Sequence, residues 1–135
     1  LNGSWLDAEF KDYKTDEGNF KGNRPILAPE YTASASLNWH SPSFGWGALG
    51  ASLLSSYQSE VFFTVQNTDD AHQDSFYRHD ARVSYFTPSE QWQLDIFVRN
   101  LMNEEYRSFE QDVGAGLVSR RGQERFWGVA ASAHF

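Results

Sequence analysis

The chain has 135 residues, with eleven Lys and Arg against eighteen Asp and Glu. The resulting formal charge of −7 and pI near 4.9 argue against an electrostatic nucleic-acid binder, which needs a basic face. There is no Cys, so disulfide scaffolds, thiol catalysis and thiolate metal sites are excluded; 16% aromatic residues argue against disorder, and no apolar run approaches the roughly 20 residues of a membrane-spanning helix.

The opening stretch, residues 1–10, reads as a strand. With no initiator Met, basic n-region or apolar h-region before it, no targeting segment is visible and the chain is expected to be a fragment. A long connection, residues 11–30, follows. The clearest strand is residues 31–39. Tyr31, Ala33, Ala35, Leu37 and Trp39 share one face, and Thr32, Ser34, Ser36 and Asn38 the other. Strict period 2 indicates strand over helix, and nine residues at about 3.3 Å each span roughly 30 Å, enough for a tilted crossing of a bilayer. A short connection, residues 40–45, leads to a third strand at 47–59, where Leu49, Ala51, Leu53 and Tyr57 alternate with small and polar residues.

A second long connection, residues 60–76, precedes a strand at 77–86, in which Tyr77, His79, Ala81, Val83 and Tyr85 oppose Arg78, Asp80, Arg82 and Ser84. A short turn at 87–91 leads to residues 92–101, with Trp92, Leu94, Ile96 and Val98 against Gln93, Asp95, Phe97 and Arg99. The third long connection, 102–122, precedes a last strand carrying Trp127, Val129, Ala131, Ala133 and Phe135 on one face. About six strands result, joined alternately by short and long connections, so every long loop falls at one end. That asymmetry and the aromatic–aliphatic–aromatic faces describe an antiparallel transmembrane β-barrel segment with short periplasmic turns and long external loops. The charged faces need water or partners, which a wet lumen supplies and the outer face of a soluble sandwich would supply equally.

The stretch from Trp92 to Tyr106 resembles the penultimate strand of TonB-dependent outer-membrane receptors, which ends in an Asn-Leu, x, Asn, x, x, Tyr pattern; here these are Asn100, Leu101, Asn103 and Tyr106. Gly22-Asn23-Arg24-Pro25-Ile26-Leu27-Ala28-Pro29 is similar to that family's Ala-Pro entry into an earlier strand, and Phe135 to the terminal aromatic that marks barrels for assembly. The chain departs from the family in reading Gln123-Glu124-Arg125-Phe126 where a Pro-Arg often enters the last strand, and in having Ala133 two residues before the end. The resemblance implies that residues 1–135 are a C-terminal portion of the barrel, with the plug domain absent, in a Gram-negative outer membrane. It also implies no catalysis, no cofactor, and uptake of a scarce solute such as a ferric siderophore. The implied partners are the plug and remaining barrel, TonB through the plug, the barrel assembly machinery, a ferric chelate and outer-membrane lipid. Arg78, Asp80, Arg82, Asp95 and Arg99 would line the lumen, and Tyr106, Arg120 and Arg121 are loop candidates for ligand contact. A passive porin or adhesin barrel and a soluble carbohydrate-binding β-sandwich are the alternatives.

Other constellations are weaker. No Gly-x-Ser-x-Gly elbow occurs, and His79-Asp80 beside Ser84 places His79 on the apolar face. Asp69, Asp70, His72 and Asp74 offer oxygen ligands suited to Ca²⁺, but without the ordered calcium-loop spacing they read as a solvated loop. Gly114-Ala115-Gly116 lacks the Lys-Ser or Lys-Thr of a phosphate cradle. Arg120 and Arg121 suit an anionic ligand or lipopolysaccharide phosphate, or pairing with Asp112 and Glu124. Trp5, Phe10, Tyr13, Phe20, Phe62, Phe63, Tyr106 and Phe109 lie in or near the long loops, suited to stacking on a ligand or to packing. Tyr31, Trp39, Tyr57 and Trp92 fit interfacial girdles.

Overall fold

A computed structural model describes residues 1–114 and 116–134, leaving out the side chains of Asp112 and Leu117. Phe135, the expected assembly signal, lies outside the described residues. The strands are β1 (Asn2–Trp5), β2 (Lys14–Thr15), β3 (Gly18–Asn19), β4 (Tyr31–His40), β5 (Ala48–Gln58) and β6 (Val61–Phe62). They continue with β7 (His72–Gln73), β8 (Phe76–Phe86), β9 (Trp92–Arg99), β10 (Arg107–Asp112), β11 (Leu117–Arg121) and β12 (Phe126–Ala133). Six of them form one open antiparallel sheet in the order β1-β4-β5-β8-β9-β12. The remaining six pair as three small hairpins, β2-β3, β6-β7 and β10-β11, one in each long loop.

The register turns each alternating sequence into a two-faced wall. Leu37, Leu53, Ala81, Val98 and Trp127 lie in one cross-strand row, and Trp39, Ala51, Val83, Ile96 and Val129 in another. This apolar face is bare: Leu37, Ile96 and Val129 are 69%, 62% and 68% exposed. So large an uncovered apolar surface suits lipid and is rare on a soluble monomer. Rings cluster at both ends of it. Tyr57 and Tyr77 pack at 4.8 Å near the long loops, while Trp46 stacks between Phe44 and Tyr85 at the short turns. No second sheet covers either face among the described residues, so the sandwich alternative does not form.

The opposite face alternates small, polar and charged groups. Asn38, Ser52, Arg82, Phe97 and Gly128 form one row, and His40, Gly50, Ser84, Asp95 and Ala130 the next. Gly128 gives room to the Phe97 ring, which a Cβ there would meet at 2.7 Å.

The opening strand departs most from the sequence reading, and the other strand limits shift by one or two residues, as in β9, which ends at Arg99. The opening strand stops at Trp5 instead of continuing to residue 10: one further backbone bond, from the Leu6 N–H to the Glu30 carbonyl, follows before the chain turns into the first loop. There Phe10 stacks on Tyr13 at 4.9 Å, and Tyr13 packs on Phe20 at 5.8 Å, so these rings bury one another instead of facing lipid. The last strand ends at Ala133.

Among the described residues, the buried apolar side chains are Phe20, Val61, Phe63 and Ala71, all in the first two long loops. A single open sheet with an apolar face and a polar face has no interior of its own. Burying each large side chain of the loop core contributes about 1.5–3 kcal/mol.

Candidate functional site

Two regions gather chemistry-bearing side chains: the polar wall face and the long-loop cluster. On the wall, β8 and β9 bring Ser84 opposite Asp95. The Ser84 hydroxyl donates to Asp95 Oδ1 at 2.6 Å, and Gln93 Nε2 donates to both carboxylate oxygens at 2.9 and 3.1 Å. Three charge-assisted bonds offset the burial of Asp95, which is 5% exposed. Farther toward the loops, Arg78 Nε lies 3.8 Å from Asp80 Oδ1, the same oxygen that accepts the Asn100 backbone N–H at 2.9 Å. A cleft of about 410 Å³ runs along this face between Asn38, Ser52, Asp80, Arg82, Phe97 and Arg99. All five expected lumen residues, Arg78, Asp80, Arg82, Asp95 and Arg99, therefore share one face. The His79, Asp80 and Ser84 grouping weighed from sequence is not assembled there, since Ser84 bonds to Asp95 while His79 pairs with Ser55 on the apolar face.

The Asn-Leu-x-Asn-x-x-Tyr stretch forms the exit from β9. Asn100 is fully buried with φ of 52°. Its Nδ2 donates to the carbonyls of Glu104 (2.8 Å) and Gln123 (2.9 Å), and its Oδ1 accepts the Glu104 N–H at 2.8 Å. Asn103, at φ 56°, accepts the Arg125 N–H at 3.0 Å. Asn is the residue that enters the left-handed region while its amide bonds locally. Tyr106 stacks on Phe76 at 4.5 Å, and its hydroxyl accepts the Gln123 N–H at 3.2 Å. Its ring occupies the space where a Cβ on Gly122 would stand. The motif thus joins the end of β9, the start of the third loop and the entry to β12.

The loops themselves are tied together. Arg24 sends Nη2 to the Glu60 carbonyl (2.7 Å) and Nη1 to Glu60 Oε1 (3.2 Å), and lies over the Phe62 ring. Asn67 accepts the Arg24 N–H and donates back to its carbonyl, while Asn23 reaches the Val65 carbonyl. From the other side, the Arg107 backbone N–H donates to Gln73 Oε1 at 2.6 Å. Its guanidinium reaches the carbonyls of Asp70 and His72, pairs with Glu110 Oε2 at 2.6 Å, and lies over Phe63. The second loop is the hub on which the first and third dock.

Tyr106 and Arg121 bound a cleft of about 390 Å³ with Asp74, Glu104, Glu105 and Glu124, and both also border a shallower concavity with Phe109 and Arg120. No ion pair joins Arg120 or Arg121 to Glu124 among the described residues; the Asp112 side chain lies outside them. Of the loop rings suited to stacking on a ligand or to packing, Phe20 and Phe63 are buried and Trp5 belongs to β1. Phe109 is 44% exposed. The Asp69, Asp70, His72, Asp74 cluster is rearranged. Asp69 contributes its carbonyl to His72 Nδ1 at 2.6 Å. The side chain of Asp70 is held by hydrogen bonds from Thr68 and from backbone amides, which lower its pKa. In their place Glu60, fourteen residues before Asp74 in sequence, comes together with His72 and Asp74. Burial of His72 opposes its charged form, yet the Asp69 carbonyl and the Asp74 and Glu60 carboxylates prevail and raise its pKa. Arg107 and Glu60 were not singled out from sequence, and their partners lie up to 37 residues away, where local pattern carries no signal.

Residues 1–101 match the family model described as TonB dependent receptor-like, beta-barrel. The fold is similar to that of the ferric yersiniabactin uptake receptor FyuA from Yersinia pestis, with a TM-score of 0.76 and 23% identity over 87% of this chain and 18% of that one. It is similar also to BauA, the ferric preacinetobactin receptor from Acinetobacter baumannii, with a TM-score of 0.70 and 21% identity over 96% of this chain and 18% of that one. The chain spans under a fifth of the length of either receptor. No curated protein matches.

Proposed function

Because the chain belongs to the TonB-dependent receptor β-barrel family, we propose that it supplies six wall strands and three external loops to an outer-membrane importer of a ferric siderophore. The observation that carries this reading is the wall itself: an uncovered apolar face, a charged face behind it, and every long loop at one end. Both similar structures are ferric-chelate receptors, which supports the ligand class. The six strands form a C-terminal portion of the barrel, and the remaining strands close the lumen around a plug that contacts TonB. The barrel assembly machinery inserts it, and lipid covers the apolar face. Arg78, Asp80, Arg82, Asp95 and Arg99 then line the lumen, where they meet the plug or the passing ligand. Tyr106, Arg120 and Arg121 lie at the loop clefts, where an anionic chelate finds a ring and two guanidinium groups. The protein moves its ligand without chemical change, so no catalytic residue is assigned.

The test is uptake of radioactive iron by cells expressing the full-length protein, supplied as a panel of ferric siderophores under iron limitation. Accumulation that disappears on deletion of TonB is expected. A heat-modifiable outer-membrane band with TonB-independent diffusion of small solutes would overturn the reading in favour of a passive porin.

A further inference from the structure

The second loop carries a mixed nitrogen and oxygen donor set on a β-hairpin. Val61 pairs with Gln73 and Phe62 with His72, so the same register sets Glu60 across from Asp74. Side-chain period 2 places His72 on the face of Asp74. One donor atom from each of Glu60, His72 and Asp74 lies within 4.8 Å of the others, and His72 Nε2 is 3.2 Å from Asp74 Oδ1. Ligands held about 2.0–2.2 Å from a single ion stand roughly 3.0–3.5 Å apart along a coordination edge. The His72–Asp74 spacing is such an edge, and a Glu60 carboxylate oxygen lies within 4.8 Å of both donors.

The surroundings have the form that a coordinated imidazole needs. His72 Nδ1 is engaged at 2.6 Å with the carbonyl of Asp69, a group outside the donor set. With the proton on that nitrogen, Nε2 presents its lone pair to the two carboxylates. A histidine that ligates a metal almost always has its far nitrogen anchored in this way. The Glu60 carboxylate is itself oriented by Arg24, which holds both its side chain and its carbonyl. The hairpin rests on Val61 and Ala71, each 2% exposed, so the donors are mounted on a packed element. One imidazole and two carboxylates suit a first-row divalent cation better than Ca²⁺, which takes six to eight oxygen ligands.

We propose that Glu60, His72 and Asp74 bind a divalent cation of the Zn²⁺ class at the outer surface, with water completing its coordination. The ion would clamp the two ends of the β6-β7 hairpin, the element on which the first and third loops dock. This site stands independently of what the receptor transports.

The experiment is calorimetric titration of ZnCl₂ into the full-length, chelator-stripped receptor in detergent, repeated with millimolar CaCl₂ present. Electron paramagnetic resonance with Cu²⁺ as probe accompanies it. His72→Asn keeps an amide donor for the Asp69 carbonyl while removing Nε2, and Glu60→Gln keeps the side-chain shape. Each is expected to weaken Zn²⁺ binding about tenfold or more, Ca²⁺ to leave it unchanged, and the Cu²⁺ spectrum to show coupling to one imidazole nitrogen that H72N abolishes. Glu9→Gln, elsewhere in the loops, is expected to have no effect. Zn²⁺ affinity indifferent to H72N and E60Q, or lowered equally by E9Q, would overturn the site.

Discussion

Replacing Asn100 tests whether the Asn-Leu-x-Asn-x-x-Tyr stretch is held by the hydrogen bonds seen at the exit of β9. Asn100→Ala deletes three side-chain bonds at once: two to Glu104 and one to Gln123. Glu104 is half-buried, so each of its two backbone groups left without a partner costs about 1–3 kcal/mol. Gln123 is exposed and water can replace its bond, for a loss of about 1 kcal/mol. Alanine at φ 52° adds about 1–2 kcal/mol of left-handed strain that Asn tolerates better. The total is about 4–9 kcal/mol, drawn from the local stability of the third loop, because the Asn100 backbone bond to Asp80 survives. Asn100→Gly loses the same bonds without the strain, so it should be milder by about 1–2 kcal/mol. The assay is hydrogen exchange by mass spectrometry on the full-length receptor, following the peptides around Glu104 and Gln123. Each 1.4 kcal/mol is a factor of ten, so N100A should speed exchange there at least a thousandfold while peptides of β4 and β5 stay unchanged. Exchange at Glu104 within about threefold of wild type, or N100G no milder than N100A, would refute the reasoning.

Arg107→Ala removes the clamp between the second and third loops and leaves the Glu110 carboxylate, 3% exposed, without its cation; a loss of about 3–5 kcal/mol is expected, read as faster proteolysis between residues 102 and 125. Restoring packing with Arg107→Met and Glu110→Leu together should recover part of the resistance. Gly128→Val places a side chain against the Phe97 ring, and overpacking should cost about 1–3 kcal/mol, measured as a lower temperature for loss of the compact band in semi-native electrophoresis. Val129→Arg, on the apolar face, should cost about 2–4 kcal/mol if that residue lies near the bilayer midplane. Asn38→Arg, on the polar face, should cost much less, and equal losses in a denaturant titration in lipid would contradict the assignment of the two faces.

The wall was legible in the sequence because its code is local. A strand shows alternate residues to opposite sides, and ten residues of β4 state which side chain lies on the apolar face and which on the polar face without reference to any partner. The alternation of short and long connections likewise set all three loops at one end. The five charged wall residues landed on a common face for the same reason. What alternation could not do was end the opening strand: Leu6, Ala8 and Phe10 keep a spacing of two, on the parity opposite Trp5, but Phe10 packs on Tyr13 outside the sheet.

The loop cluster was decided by the tertiary structure alone. Arg24 meets Glu60 across 36 residues and Arg107 meets His72 across 35, so no window of sequence contains both partners. Glu60 is near His72 only because β6 and β7 pair in one register, and a shift of one residue would turn the donors to opposite faces. Of the four residues close in sequence, which read as a solvated loop, only His72 and Asp74 come together with Glu60, while Asp69 contributes its carbonyl and Asp70 is held within its turn. The sequence by itself determined a wall, because each residue there answers to its solvent. The loop core and the candidate cation site answer to residues distant in the chain, and only folding brings those together.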